Sequence, residues 1–154
     1  VVFALKTVRA WAPAVIWMGV IFFFSTDIGG GEHTGRFIAP FIRWLRPDIA
    51  PADLEAVQFT IRKVAHVTEY AILAMLIASA RRGTDTAARR LTPREALIVL
   101  TLTTFYAITD EIHQTFVSGR MGTVTDVLID AVGGTVGLLA LLLSDRLLRK
   151  KDVA

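Results

Sequence analysis

The sequence predicts an all-α fold: an integral membrane bundle of four transmembrane helices with an amphipathic helical outer loop, built as one domain over residues 1–154. Three observations predict it. The chain is 53% hydrophobic with a mean hydropathy of +0.53, which does not suit an ordinary soluble domain. Its apolar residues gather into four blocks near the length that spans a bilayer. The polar residues inside those blocks fall at one depth.

The first block, Ala10 to Thr26, follows Lys6 and Arg9, is uncharged throughout and contains "VIWMGVIFFF". A bilayer core about 30 Å thick needs ~20 mainly apolar helical residues, with ~17 near the lower limit. This predicts a helix over about 8–26. A basic start and apolar middle also suit a signal peptide. The block is longer than the usual apolar stretch of about 7–15 residues, however, and no small-x-small cleavage pattern follows "FFFSTDI", so an uncleaved anchor is expected.

A loop over 27–62 comes next. "GGG" at 29–31 is a flexible break, and "FIAPFIRWLRP" at 37–47 interleaves apolar and aromatic side chains with Arg43 and Arg46. That mixture fits a short helix lying in the membrane interface or, equally, one packed over the bundle. "PADLEAV" from Pro51 supplies a helix start with Asp53 and Glu55 in its first turn, leading into the second spanning helix.

The second block, Val64 to Ala80, predicts a helix over about 63–80, interrupted by His66 and Glu69. "RRGTDTAARR" then reads as a polar hinge. The third block, Ala96 to Thr109, is short, but apolar character resumes at Phe116 and Val117, and a helix over about 95–117 is expected. The fourth, Met121 to Ser144, predicts a helix over about 122–144, with Asp126 and Asp130 in its first half and "VGLLALLL" in its second. A soluble bundle would show a charged outer face, and Val136 to Leu143 has none.

The 17 Lys and Arg residues set the orientation. Lys6, Arg9, Arg81, Arg82, Arg89, Arg90, Arg94, Arg146, Arg149, Lys150 and Lys151 fall on one side of the predicted spans; Arg36, Arg43, Arg46, Arg62, Lys63 and Arg120 fall on the other. The positive-inside rule places both termini in the cytoplasm and the long loop outside. The basic pI near 9.7 is thereby a matter of topology, and no nucleic-acid partner is expected. Absence of cysteine excludes disulfide and thiol chemistry.

At about 1.5 Å per residue, Glu69 and His66 lie roughly 18 and 22 Å from Arg81, Asp110 about 22 Å from Glu95, Asp130 and Asp126 roughly 24 and 30 Å from Arg146, and Ser25 about 24 Å from Arg9. All reach the outer part of the bilayer. Spacings of three, four and seven give each helix one polar stripe: Lys63, His66 and Tyr70; Tyr106, Asp110, His113 and Gln114; Asp126 and Asp130. Such residues are costly in hydrocarbon and face a bundle interior or a wet cavity, so the default expectation is a functional site. Gly133 and Gly137 form a GxxxG on the Asp130 side, which lets helices approach closely beneath that layer.

Lys63, His66 and Tyr70, followed by Asp-Glu-x-x-Gln (Asp110, Glu111, Gln114), Arg120 six on and Asp126 six beyond, resemble the VanZ-like family; "FFFS" with Ser25 matches as well. The resemblance runs from helix one to Gly137. Where that family usually has Asn, this chain has Asp130. The resemblance implies a small bacterial protein of the cytoplasmic membrane acting on the cell envelope, in a family named for a member associated with teicoplanin resistance.

The predicted binding set is Ser25, Lys63, His66, Tyr70, Asp110, Glu111, Gln114, Arg120, Asp126 and Asp130. Lys63 and Arg120, oriented by acids, can clamp an anionic head group, which points to a membrane lipid or lipid-linked envelope precursor as partner. Should the chain be a hydrolase or transferase, the candidates are Lys63, His66, Asp110, Glu111, Arg120 and Asp126, since a desolvated His beside carboxylates can move protons near neutral pH. His66, Glu69, Asp110, Glu111, His113 and Asp126 are acceptable metal ligands, but Lys63 and Arg120 nearby oppose an ion's charge, and no metal or other cofactor is expected. Two further alternatives stand: an ion-pair network in which Lys63 and Arg120 only neutralise Asp110, Glu111 and Asp126, and a small transporter, disfavoured by cytoplasmic halves sealed with Ala, Leu and Val.

Overall fold

The computed structural model describes residues 2–26, 31–84, 91–118 and 120–151, which form five helices and, among the described residues, no strand. These are α1 (Val2–Ser25), α2 (Gly31–Leu45), α3 (Pro51–Thr84), α4 (Pro93–Gln114) and α5 (Val124–Lys151). Most of the "GGG" break and residues 85–90 of the polar hinge lie outside the described residues.

Among the described residues, three helices are long and apolar enough to cross a membrane: α1 over Ala4–Ser25, α3, and α5 over Val124–Leu147. The fourth predicted span, α4, is not among them, with Glu95 near one end and Asp110, Glu111 and His113 at the other. Its faces are nevertheless sorted. Glu95, Val99, Thr103, Ala107, Asp110, Glu111 and Gln114 are buried at steps of three and four, while Leu97, Phe105, Ile108 and Ile112 are exposed.

The segment expected as an outer loop with a short helix at 37–47 contains α2, and α3 starts at Pro51, where the sequence supplies a helix start, and runs unbroken through the expected span 63–80. The cause is local: Pro51 occupies a first-turn position where its missing N–H costs nothing, Asp53 complements the helix dipole, and no Pro interrupts α3 further on. At about 1.5 Å per residue, 34 residues make α3 roughly 50 Å long, so it outreaches a 30 Å hydrocarbon core. On α4 the start is fixed by Thr92, whose hydroxyl accepts the Glu95 N–H at 3.2 Å, with Pro93 following.

Helix directions follow from which ends meet. The C-terminal ends of α1 and α4 meet the N-terminal end of α5, and the C-terminal end of α3 meets that of α5 and the start of α4. Thus α1 and α4 run one way and α3 and α5 the other. The most extensive packing is α3 on α5, and glycine makes it. A Cβ on Gly133 would lie 2.5 Å from the Val67 carbonyl oxygen, and one on Gly137 2.2 Å from that of Ala71. The predicted GxxxG therefore brings two helix backbones into direct contact.

The core between the helices is formed by Ala14, Ile21, Tyr70, Leu73, Ala74, Ile77, Ala78, Val99, Ala107 and Leu138. α1 is pinned to it by two side chains reaching backbone carbonyls: the Trp17 indole donates to Glu69 at 2.9 Å, and the Tyr106 hydroxyl donates to Met18 at 2.6 Å. Outward, large apolar side chains dominate, among them Val15, Ile16, Phe105, Leu128, Val132, Leu139 and Leu143. Apolar outside and polar inside is the arrangement a lipid solvent favours.

Candidate functional site

Four helices deliver polar side chains to one end of the bundle, the end that holds Ser25. α1 contributes its last residue, α4 its last turn, α5 its first two turns, and α3 a stretch starting three turns in. The helices' opposed directions, rather than any local motif, bring these segments level.

Asp110 is the point of convergence. It is buried, and its Oδ2 accepts from the Ser25 hydroxyl at 2.9 Å, the Gln114 amide at 3.1 Å and the Tyr70 hydroxyl at 3.5 Å. Its Oδ1 has no hydrogen-bond partner among the described residues. Glu111, on the next position of α4, turns toward α5: Oε2 accepts the backbone N–H of Thr123 at 2.8 Å, and Oε1 lies 3.4 Å from the Gln114 amide. Thr123 in turn caps α5, its hydroxyl accepting the Asp126 N–H at 3.1 Å.

Along α3 and α5 the polar residues pair rung by rung. Lys63 forms an ion pair with Asp126, and one helical turn further on His66 Nδ1 is 3.0 Å from Asp130 Oδ1. Asp130 is fully buried, and its Oδ2 has no partner among the described residues. Close approach at Gly133, one turn below, holds these rungs in register.

Arg120 behaves otherwise than the ion-pair alternative expects. Among the described residues it makes no ion pair with Asp110 or Glu111; its guanidinium donates to the Phe24 carbonyl at 2.7 Å and lies 3.5 Å from Gln114 Oε1. An extended arginine bridges the end of α1 and the end of α4, leaving the carboxylates to other partners. His113 also departs from its expected stripe: it stacks on Phe22, with ring centroids 4.3 Å apart, instead of joining the carboxylates.

All ten predicted site residues thus gather at one end. Sequence reasoning placed these residues at one depth but did not give all their partners. It missed the His66–Asp130 pair, although their mutual depth was readable, and it missed the backbone groups of Thr123 and Phe24, which carry no side-chain signal. A Thr three residues before Asp126, at a helix start, is the one cue that capping rules offer for Thr123.

One subset has the donor types of a metal centre. His66, Glu111 and Asp130 each place a ligand atom so that all three atoms lie within 4.8 Å of one another. Of the six residues whose types were acceptable for a metal, Glu69, Asp110, His113 and Asp126 are not in this group, and Asp130 is new to it, although no metal was expected from sequence.

In comparison with known families, the model of the VanZ/LLP1 family matches residues 10–145. No curated protein and no solved structure matches the chain.

Proposed function

This chain belongs to the VanZ/LLP1 family as a membrane protein of that kind, and from that premise we propose that it acts at the outer face of a bacterial cytoplasmic membrane, on the cell envelope, lowering susceptibility to glycopeptides such as teicoplanin. In this reading α4 is a fourth crossing, both termini are cytoplasmic, and α2 is the amphipathic helix of the outer loop. The buried polar face and exposed apolar face of α4 support the first point. Exposed Phe41, Trp44 and Leu45 on α2 support the last.

The observation that carries the functional reading is Asp110. Donors from three helices converge on one of its oxygens, while the other is buried without a partner among the described residues. A carboxylate buried only to hold a fold would have both oxygens satisfied, because each unpaired buried group costs about 1–3 kcal/mol. An unpaired oxygen in a polar layer spanning four helices fits a site that receives a polar group, here the head of a membrane lipid or lipid-linked envelope precursor. Lys63 and Arg120 at the margins of the cluster give it cationic edges toward such a head group.

Expression in a glycopeptide-sensitive bacterium tests this. The wild-type chain is expected to raise the inhibitory concentration of teicoplanin, with Asp110→Ala and Arg120→Ala returning it to the empty-vector value. Variants that protect as well as wild type at equal membrane abundance would refute the assignment.

The Ser25–Asp110 hydrogen bond favours a second reading, a membrane-embedded hydrolase or transferase. In it, Asp110 takes the Ser25 hydroxyl proton as Oγ bonds to the ester carbon or phosphorus of a lipid-linked substrate. The ester bond breaks, the departing oxygen receives that proton, and water or an acceptor hydroxyl then releases the group held on Ser25. Lipid extracts decide: Ser25→Ala should abolish turnover of an envelope lipid that wild type consumes, and unchanged turnover removes Ser25 as nucleophile.

A further inference from the structure

We infer that His66, Glu111 and Asp130 form a binding site for one divalent transition-metal ion, bridging α3, α4 and α5 inside the polar end of the bundle. Geometry comes first. Two ligands of a single ion, each about 2.1 Å from it, lie up to about 4.2 Å apart, so ligand atoms within 4.8 Å of one another close on an ion by small side-chain shifts. Three protein ligands with the remaining positions left to water or a substrate oxygen is the usual form of a reactive rather than a structural site.

Charge is the second, independent argument. Asp110, Glu111, Asp126 and Asp130 are all buried at this end. Lys63 answers Asp126, while Arg120 is directed to a carbonyl and an amide oxygen, both neutral. Sequence reasoning counted these two cations against a metal; their placement on other partners removes that objection. A dication at His66, Glu111 and Asp130 supplies the charge that the cluster lacks.

The third argument is the orphaned oxygen. Asp130 is completely buried, and its Oδ2 is unpartnered among the described residues, in a group whose other members are an imidazole and a carboxylate. The supporting contacts are those of a built site. The Thr123 N–H orients Glu111, and close packing at Gly133 fixes the α3–α5 spacing beside Asp130. One imidazole with two carboxylates suits Zn²⁺ or Mn²⁺ better than Ca²⁺ or Mg²⁺, which prefer oxygen alone.

This inference shares its residues with the functional reading but does not depend on it, because binding is measured without antibiotic or lipid substrate. Protein purified in detergent and stripped with chelator is equilibrated with ZnCl₂ or MnCl₂, desalted and analysed for metal. About one equivalent per chain is expected for wild type and for His113→Gln, whose ring stacks on Phe22 outside the group. Asp130→Asn and His66→Gln are expected to bind about 100-fold more weakly. Asp130→Asn keeps the side-chain shape, and its elution profile reports whether it is folded. A thermal-shift series on wild type alone covers a variant that fails to fold, with Zn²⁺ or Mn²⁺ raising the melting temperature and chelator reversing it. Wild type without stoichiometric Zn²⁺ or Mn²⁺, or with Ca²⁺ in their place, overturns the inference; so do folded Asp130→Asn and His66→Gln variants that retain full binding.

Discussion

The two ends of this bundle handle buried charge in opposite ways. At the end where α3 finishes, Arg81 donates through Nε and Nη2 to the two Glu95 oxygens at 2.7 and 3.1 Å, and Arg82 grips both Asp145 oxygens at 3.3 and 2.7 Å. Each acid there meets a planar guanidinium in a two-pronged fork, the geometry that best satisfies a carboxylate. At the Ser25 end, Asp126 alone among the acids pairs with a permanently charged side chain, Lys63, and Asp110 and Asp130 each keep one oxygen unpartnered among the described residues. The first arrangement satisfies both oxygens of its carboxylates and the second does not, so substitutions at the two ends should have effects of different kinds.

The largest effect is expected where the ends are joined. Gly137→Leu drives a side chain into the Ala71 carbonyl, which lies 2.2 Å from where its first atom would be. Overpacking of a tight interface costs about 1–3 kcal/mol or more, and here helix backbone must move. Little monodisperse protein should survive size-exclusion chromatography. A normal yield would show that α3 and α5 are not packed as described.

Next is the fork end itself. Arg82→Gln removes one partner of a pair with about a fifth to a third of its side-chain surface exposed. Fully buried pairs cost about 3–5 kcal/mol when broken and exposed ones about 0–1, so a loss of about 1–2 kcal/mol is expected in detergent unfolding, with antibiotic protection unchanged at equal abundance. Loss of protection without loss of stability would assign function to the wrong end.

Legibility in the sequence divides along the same line. The helical class, four apolar blocks, the shared depth of the polar residues and the close glycine contact all follow from periodicity and rise per residue, because those signals are local. What was not legible is which acid faces which base. Lys63 can be assigned to Asp110, Glu111 or Asp126 by depth alone; the choice of Asp126 depends on the rotation of α5 about its axis, which Gly133 and Gly137 set through contact with α3. The fork pairs were missed for a related reason. Arg81 and Arg82 on α3 read as topological charge, and their counter-charges Glu95 and Asp145 come from α4 and α5.

A smaller effect sharpens the role of the hydroxyls around Asp110. The Tyr70 hydroxyl is 3.5 Å from Oδ2, at the limit of a hydrogen bond, whereas Ser25 is at 2.9 Å. Interhelical hydrogen bonds in bilayers average about 0.6 kcal/mol, so Tyr70→Phe should change stability by less than about 0.5 kcal/mol and Ser25→Ala by about 1 kcal/mol. Equal losses in the two variants would place Asp110 nearer the tyrosine than the structure does.

The most direct test compares the sign of two neutralising substitutions, each measured as unfolding in detergent under metal-free conditions. Glu95→Gln, at the fork end, should destabilise the protein by about 1–2 kcal/mol, because it takes the counter-charge from Arg81. Asp130→Asn, at the Ser25 end, should leave stability unchanged or raise it by about 1 kcal/mol, because it removes a fully buried charge with an unpaired oxygen. Destabilisation by Glu95→Gln and none by Asp130→Asn is the predicted result. Equal destabilisation by both substitutions would contradict the account, since it would make the Ser25 end a fold-closing network like the other.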